Sequence, residues 1–102
     1  MVRLVSKFTK EYVEFRDTLN NDQLLCLKGE LQNRIVAGTL KENVLTTLKL
    51  GGLVQFHVYV DKSSGSLWLL GGHWVRNGEP TKGFLERMNR YAEDLLRGRE
   101  PR

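Results

Sequence analysis

The sequence predicts an α+β fold, and its order of hydrophobic patterns carries that expectation. Two amphipathic helical stripes come early, a cluster of strand-like segments fills the middle, and a further helical stripe comes last. Strands grouped together, rather than alternating one by one with helices, argue against a parallel α/β sheet. At 102 residues the chain has the size of one domain, and a second core would need more residues than it has. Its 40% hydrophobic content is enough to fill one interior.

The run Val2 to Val5 is β-branched and apolar and suits a first strand. Phe8, Tyr12, Phe15 and Leu19 then recur at helical spacing, with Lys10, Glu11, Glu14, Arg16 and Asp17 on the opposite side. A helix over Phe8–Leu19 follows from that stripe. Asn20-Asn21-Asp22 supplies capping acceptors for a second helix over Asn21–Ile35, in which Leu24, Leu27, Leu31 and Ile35 form the apolar side and Gly38 is the stop. Val44 to Leu50 reads as a strand turned by Gly51-Gly52. Val54, Phe56, Val58 and Val60 alternate with Gln55, His57 and Tyr59, so one strand face is apolar and the other presents polar groups. Asp61 to Gly65 forms a hairpin loop before a strand over Ser66–Leu70. The last helix spans Thr81–Arg97, with Phe84, Met88, Tyr91 and Leu95 as its apolar stripe, Thr81 as its cap and Gly98 as its end.

Composition narrows the function classes. The longest mainly apolar stretch, Leu67 to Val75, is broken by glycines and a histidine and is far shorter than the roughly 20 residues of a membrane helix. No membrane association is expected. The N-terminus turns polar at Ser6-Lys7, which argues against a secretion signal, and Cys26 has no second cysteine to pair with. Both point to a cytoplasmic protein, with Cys26 as a packed thiol between Leu25 and Leu27. Sixteen Lys and Arg against twelve Asp and Glu leave a net charge of +4, which permits a nucleic acid or an acidic protein as partner.

No metal site and no cofactor are expected. His57 and His73 lie on different segments far from Cys26, whereas zinc needs close ligands, and Gly51-Gly52, Gly71-Gly72 and Gly78 match no phosphate-loop spacing. What remains is a set of polar and basic groups around the β region: Lys49, Gln55, His57, Tyr59, His73, Arg76 and Lys82. Such groups suit cleavage of RNA, whose 2′-hydroxyl attacks the adjacent phosphate once a base, an acid and a cation are supplied. Histidine suits either proton role and arginine holds phosphate oxygens, so His73, His57, Arg76 and Lys49 are the catalytic candidates. Tyr59 and Trp74 could stack on splayed bases, with Lys82 as a further RNA contact.

The whole pattern resembles the RelE/ParE toxin superfamily, in particular its HigB-like branch. The resemblance rests on Phe8 to Leu19 leading into the helix with Leu24 to Leu31, on the strand pair Val54–Val60 and Leu67–Leu70, and on Arg76-Asn77-Gly78-Glu79 before the last helix. It implies two N-terminal helices packed on a twisted antiparallel sheet of about four strands, neutralisation by a cognate antitoxin, and ribosome-dependent, metal-independent cleavage of mRNA that stops translation. Arg76 resembles the family's basic residue after the last strand, and Lys49 the one before the central hairpin. The branch often carries an arginine on the penultimate strand, where this chain has Val54, Gln55 and His57. Two rival readings follow from that departure: a noncatalytic, ParE-like inhibitor of gyrase, and a phage or mobile-element binding module on the same fold.

Overall fold

The computed structural model describes residues 5–101, in the order β1 (Val5–Phe8), α1 (Lys10–Arg16), α2 (Asn21–Ala37), β2 (Thr46–Leu50), β3 (Val54–Asp61), β4 (Ser66–Trp74) and α3 (Lys82–Leu96). The expected first strand falls mostly on residues 2–4, outside the described residues. Phe8 ends β1 rather than opening α1, because Thr9 takes the extended conformation of an N-cap and accepts from the Tyr12 N–H. At α2 the cap is reciprocal: Asn20 accepts from the Gln23 N–H while the Gln23 side chain accepts from the Asn20 N–H. Gly38 closes that helix at φ 67°, where a side chain would be strained.

The four strands form one sheet in the order β1-β4-β3-β2. The strands β2, β3 and β4 are antiparallel neighbours, whereas β1 runs parallel to β4, so the sheet is mixed. Alternation of apolar residues specifies which face a strand buries but not which way it runs. The long connection from Phe8 to Ser66 leaves either direction open to β1.

Each face of the sheet carries its own core. Tyr12 and Phe15 of α1 and Leu27 and Leu31 of α2 pack with Leu48, Val54, Phe56, Val58, Val60, Leu67 and Leu69. On the opposite face Phe84, Met88, Tyr91 and Leu95 of α3 pack with Tyr59, Trp68 and Leu70. The sheet is thus sandwiched between the α1–α2 pair and α3.

One irregularity decides what each face presents. His57 pairs with Gly71 and Val58 with Leu69, which leaves Leu70 as an extra residue of β4. Leu70 and Gly71 both face α3, and beyond them the alternation is inverted. A regular strand would send His73 to the same side as Leu67 and Leu69. The bulge sends it to the α3 side instead. The two glycines then fit between helices, since a Cβ on Gly71 would meet Met88 Cε at 2.7 Å and one on Gly72 would run into the Phe15 ring.

Candidate functional site

With the alternation inverted, two polar rows cross the α3 side of the sheet. Thr47, His57 and Gly71 are cross-strand partners in one, and Lys49, Gln55 and His73 in the next. The His57 and His73 rings lie nearly parallel, with centroids 6.1 Å apart, and Phe84 packs against both at 5.4 Å and 5.5 Å. Phe84 is therefore the wall that closes the histidine pair from the α3 side.

The two histidines differ in access. His57 is only 4% exposed; its Nδ1 shares a 3.0 Å hydrogen bond with the Thr47 hydroxyl, and its Nε2 is buried without a partner. Burial, with a smaller contribution from His73, lowers its pKa to about 4. A neutral ring sealed in this way cannot exchange protons with a substrate while α3 is in place. His73 is half-buried and its pKa is also lowered by burial, so the imidazole is neutral at pH 7. Its Nδ1 is buried without a partner, which leaves Nε2 as the nitrogen available to the surface.

His73 lines two adjoining grooves. One is shared with Gln55, Val75, Gly78, Glu79 and Pro80, and the other runs on past Trp74 and Thr81 to Phe84 and Arg87. Lys49 stands exposed at the outer end of the row, two strands from His73, or roughly 10 Å at ordinary strand spacing. This arrangement sets a neutral imidazole and a cation on either side of an amide side chain, with the imidazole and the amide lining an open groove and the cation beyond its lining. It can accept a proton and hold an anion.

The other expected site residues are placed elsewhere. Arg76 is exposed, lines neither groove, and rests its guanidinium 4.5 Å from the centre of the Trp74 ring. Trp74 turns to the α1–α2 side, where its indole N–H donates to the Thr18 hydroxyl at 2.8 Å. Tyr59 is 1% exposed beneath α3, so its ring has no face free for a base, and its hydroxyl is buried without a partner. The expectation of base stacking by Tyr59 is corrected by that burial. Lys82 is exposed at the first position of α3 and lines neither groove. Cys26, expected as a packed thiol, is exposed, because α2 turns Leu27 rather than its neighbours toward the sheet.

No protein-family model and no curated protein matches this chain. Its chemistry therefore has to be read from its own side chains. Among the described residues no three His, Cys, Asp or Glu side chains gather as a metal site would require, and no helix is long and apolar enough to cross a membrane. Glu79 and Arg87, neither of them expected as a site residue, line the same groove as His73. Arg87 lies three residues after Phe84 and four before Tyr91, so it borders the apolar stripe of α3. That position was visible. Its partner Glu11, 76 residues earlier, was not.

A third groove opens on the α1–α2 side. The helices cover most of this face but leave β1 bare, so that Phe8, 44% exposed, looks across a cleft to Leu24, Leu31 and Ile35 of α2. Arg16 and Lys28 line the same cleft, and neither forms an ion pair among the described residues.

Proposed function

We propose that this chain is the toxin of a toxin–antitoxin pair and acts as a ribosome-dependent mRNA endoribonuclease without a metal. The observation that carries the reading is the Lys49, Gln55 and His73 row, in which neutral His73 and Gln55 line an open groove and Lys49 stands exposed at the outer end of the row, outside that lining. Neutral His73 accepts the proton of a 2′-hydroxyl as that oxygen attacks the adjacent phosphorus, and the 5′-oxygen leaves with a proton from a second donor. The products are a 2′,3′-cyclic phosphate and a 5′-hydroxyl. Lys49 bears on the charge that builds on the phosphorane oxygens. Arg76 joins it only by leaving the Trp74 ring. The cleft between β1 and α2 supports the partner half of the reading, since its apolar floor and cationic rim suit an amphipathic, acidic antitoxin segment.

Induction in a bacterial host should stop amino-acid incorporation before DNA synthesis. His73→Ala should lower cleavage of a reporter mRNA by about 10²- to 10⁴-fold, the usual loss for a general base, and Lys49→Ala by about 10²- to 10³-fold. Primer extension reads the cuts, and growth after induction reads toxicity. If His73→Ala, Lys49→Ala and Arg76→Ala all stay toxic and cut at the parental positions, the reading is wrong. Failure of DNA synthesis or gyrase before translation would favour the ParE-like alternative.

A further inference from the structure

Arg87 is a cationic groove residue whose geometry is fixed by another side chain. Its Nε–H donates to Glu11 Oε1 at 2.9 Å and its Nη2 donates to Glu11 Oε2 at 3.2 Å. The Tyr91 hydroxyl donates to the same Oε1 at 3.0 Å, so the carboxylate is itself held between α1 and α3. A guanidinium carries five N–H groups in a plane. Glu11 takes the edge formed by Nε and Nη2. The opposite edge, formed by Nη1 and Nη2, keeps two donors side by side and has no hydrogen-bond partner among the described residues. Such an edge matches two oxygens of a phosphate.

Its surroundings point the same way. Arg87 lines the groove with His73, Trp74, Thr81 and Phe84, and its Cζ lies 5.9 Å from the centre of the Phe84 ring that also packs against both histidines. The groove opens at the amino end of α3, where the helix dipole favours an anion. We infer that Arg87 is an anion-binding residue of the His73 groove, with Glu11 and Tyr91 as its positioning residues, and that the anion it takes is a backbone phosphodiester of single-stranded RNA.

Glu11 neutralises much of the charge of Arg87, so the contact works through directed donors more than through net charge. Glu79 is the anionic side chain lining the groove and opposes the ligand. These features give a test in which charge and geometry move in opposite directions. The identity of the anion rests on the RNA reading above, while the anion site does not.

The probe is a single-stranded RNA methylated at every 2′-oxygen, which cannot be cleaved, and binding to the full chain is followed by fluorescence anisotropy over a range of salt. Arg87→Ala should weaken binding about 10- to 100-fold and lower the slope of log affinity against log salt by about 0.7, the share of one phosphate contact. Arg87→Lys should keep the slope and still lose about tenfold, because an ammonium has no fork. Glu11→Gln should also weaken binding, although it removes a negative charge, and Glu79→Gln should strengthen it. Arg97→Ala, on a side chain paired with Glu93 away from the groove, should change nothing. Inorganic phosphate should shift the Arg87 Nε–H signal in an NMR titration. If the parent binds the RNA and Arg87→Ala binds with the same affinity and slope, or if Glu11→Gln binds more tightly, the inference is overturned and the RNA reading stands. If phosphate shifts the Arg87 signal but the RNA does not bind, the anion site stands and its assignment to an RNA phosphodiester falls. Loss of both responses in the parent overturns the anion site and its assignment together. Thermal melts guard against misfolding, for which Arg87→Lys is the gentler variant because an exposed ion pair contributes little stability.

Discussion

His57 shows how burial turns a residue flagged for chemistry into one that sets stability. Its ring is packed between Thr47, His73 and Phe84, and the charged form is penalised there by lost hydration and by the neighbouring imidazole. With a folded pKa of about 4 against 6.5 in the open chain, the folded state binds fewer protons than the unfolded one in between. The stability linked to neutral His57 is therefore complete above about pH 6.5 and drains away as the pH falls towards 4, by about 3 kcal/mol at the full shift. Urea denaturation at a series of pH values should show that decline, and His57→Gln should flatten it. An unchanged slope in the variant would refute the assignment. The sequence showed His57 on the polar side of an alternating strand, which was right. It could not show that α3 would cover that side, nor that the same cover would bury Tyr59, because alternation distinguishes two faces without saying how many are buried.

At the scale of elements, most of the order was legible because α2 and α3 carry both a stripe and caps, whereas α1, expected over Phe8–Leu19 from its stripe alone, spans only Lys10–Arg16. Asn20 and Gly38 bracket α2, Thr81 caps α3, and the Leu24 to Ile35 stripe faces the cleft and core. The strand β4 was the exception. The apolar pattern predicts its end at Leu70, whereas it continues to Trp74 with the extra residue inside it. Here the glycines serve packing. Phe15 presses on Gly72 from one side and Met88 on Gly71 from the other, an arrangement that needs both helices and so leaves no local signature. Gly72→Ala should then cost about 1–3 kcal/mol, since the ring it would strike is part of the core. Gly71→Ala should cost less than that, because it meets the flexible end of Met88, which can turn aside. Chemical denaturation of the two variants gives the comparison, and equal costs would show that β4 is not pinned between the helices in this way.

For the whole molecule, the sheet acts as a partition. The His73 groove opens on the α3 side, whereas the cleft with Phe8, Arg16 and Lys28 opens on the α1–α2 side. The proposed cleavage and the proposed antitoxin contact therefore occupy opposite faces, and each should be removable without the other. Lys28→Glu is the sharpest way to test this. The residue is exposed, it forms no ion pair among the described residues, and reversing its charge should cost little folding stability. Against an acidic partner segment the reversal replaces attraction with repulsion at the rim, where a charge chiefly sets the association rate. Lys28→Glu should thus stay as toxic as the parent when expressed alone, yet escape rescue when the proposed antitoxin, sought in the adjacent open reading frame, is co-expressed. His73→Ala should do the reverse, losing toxicity while still capturing the partner in a pull-down. Growth with and without the partner gene, beside that pull-down, reads both faces in one experiment. If Lys28→Glu is rescued as fully as the parent, the cleft is not where the partner binds; if it loses toxicity by itself while its melt is unchanged, the two faces do not work independently.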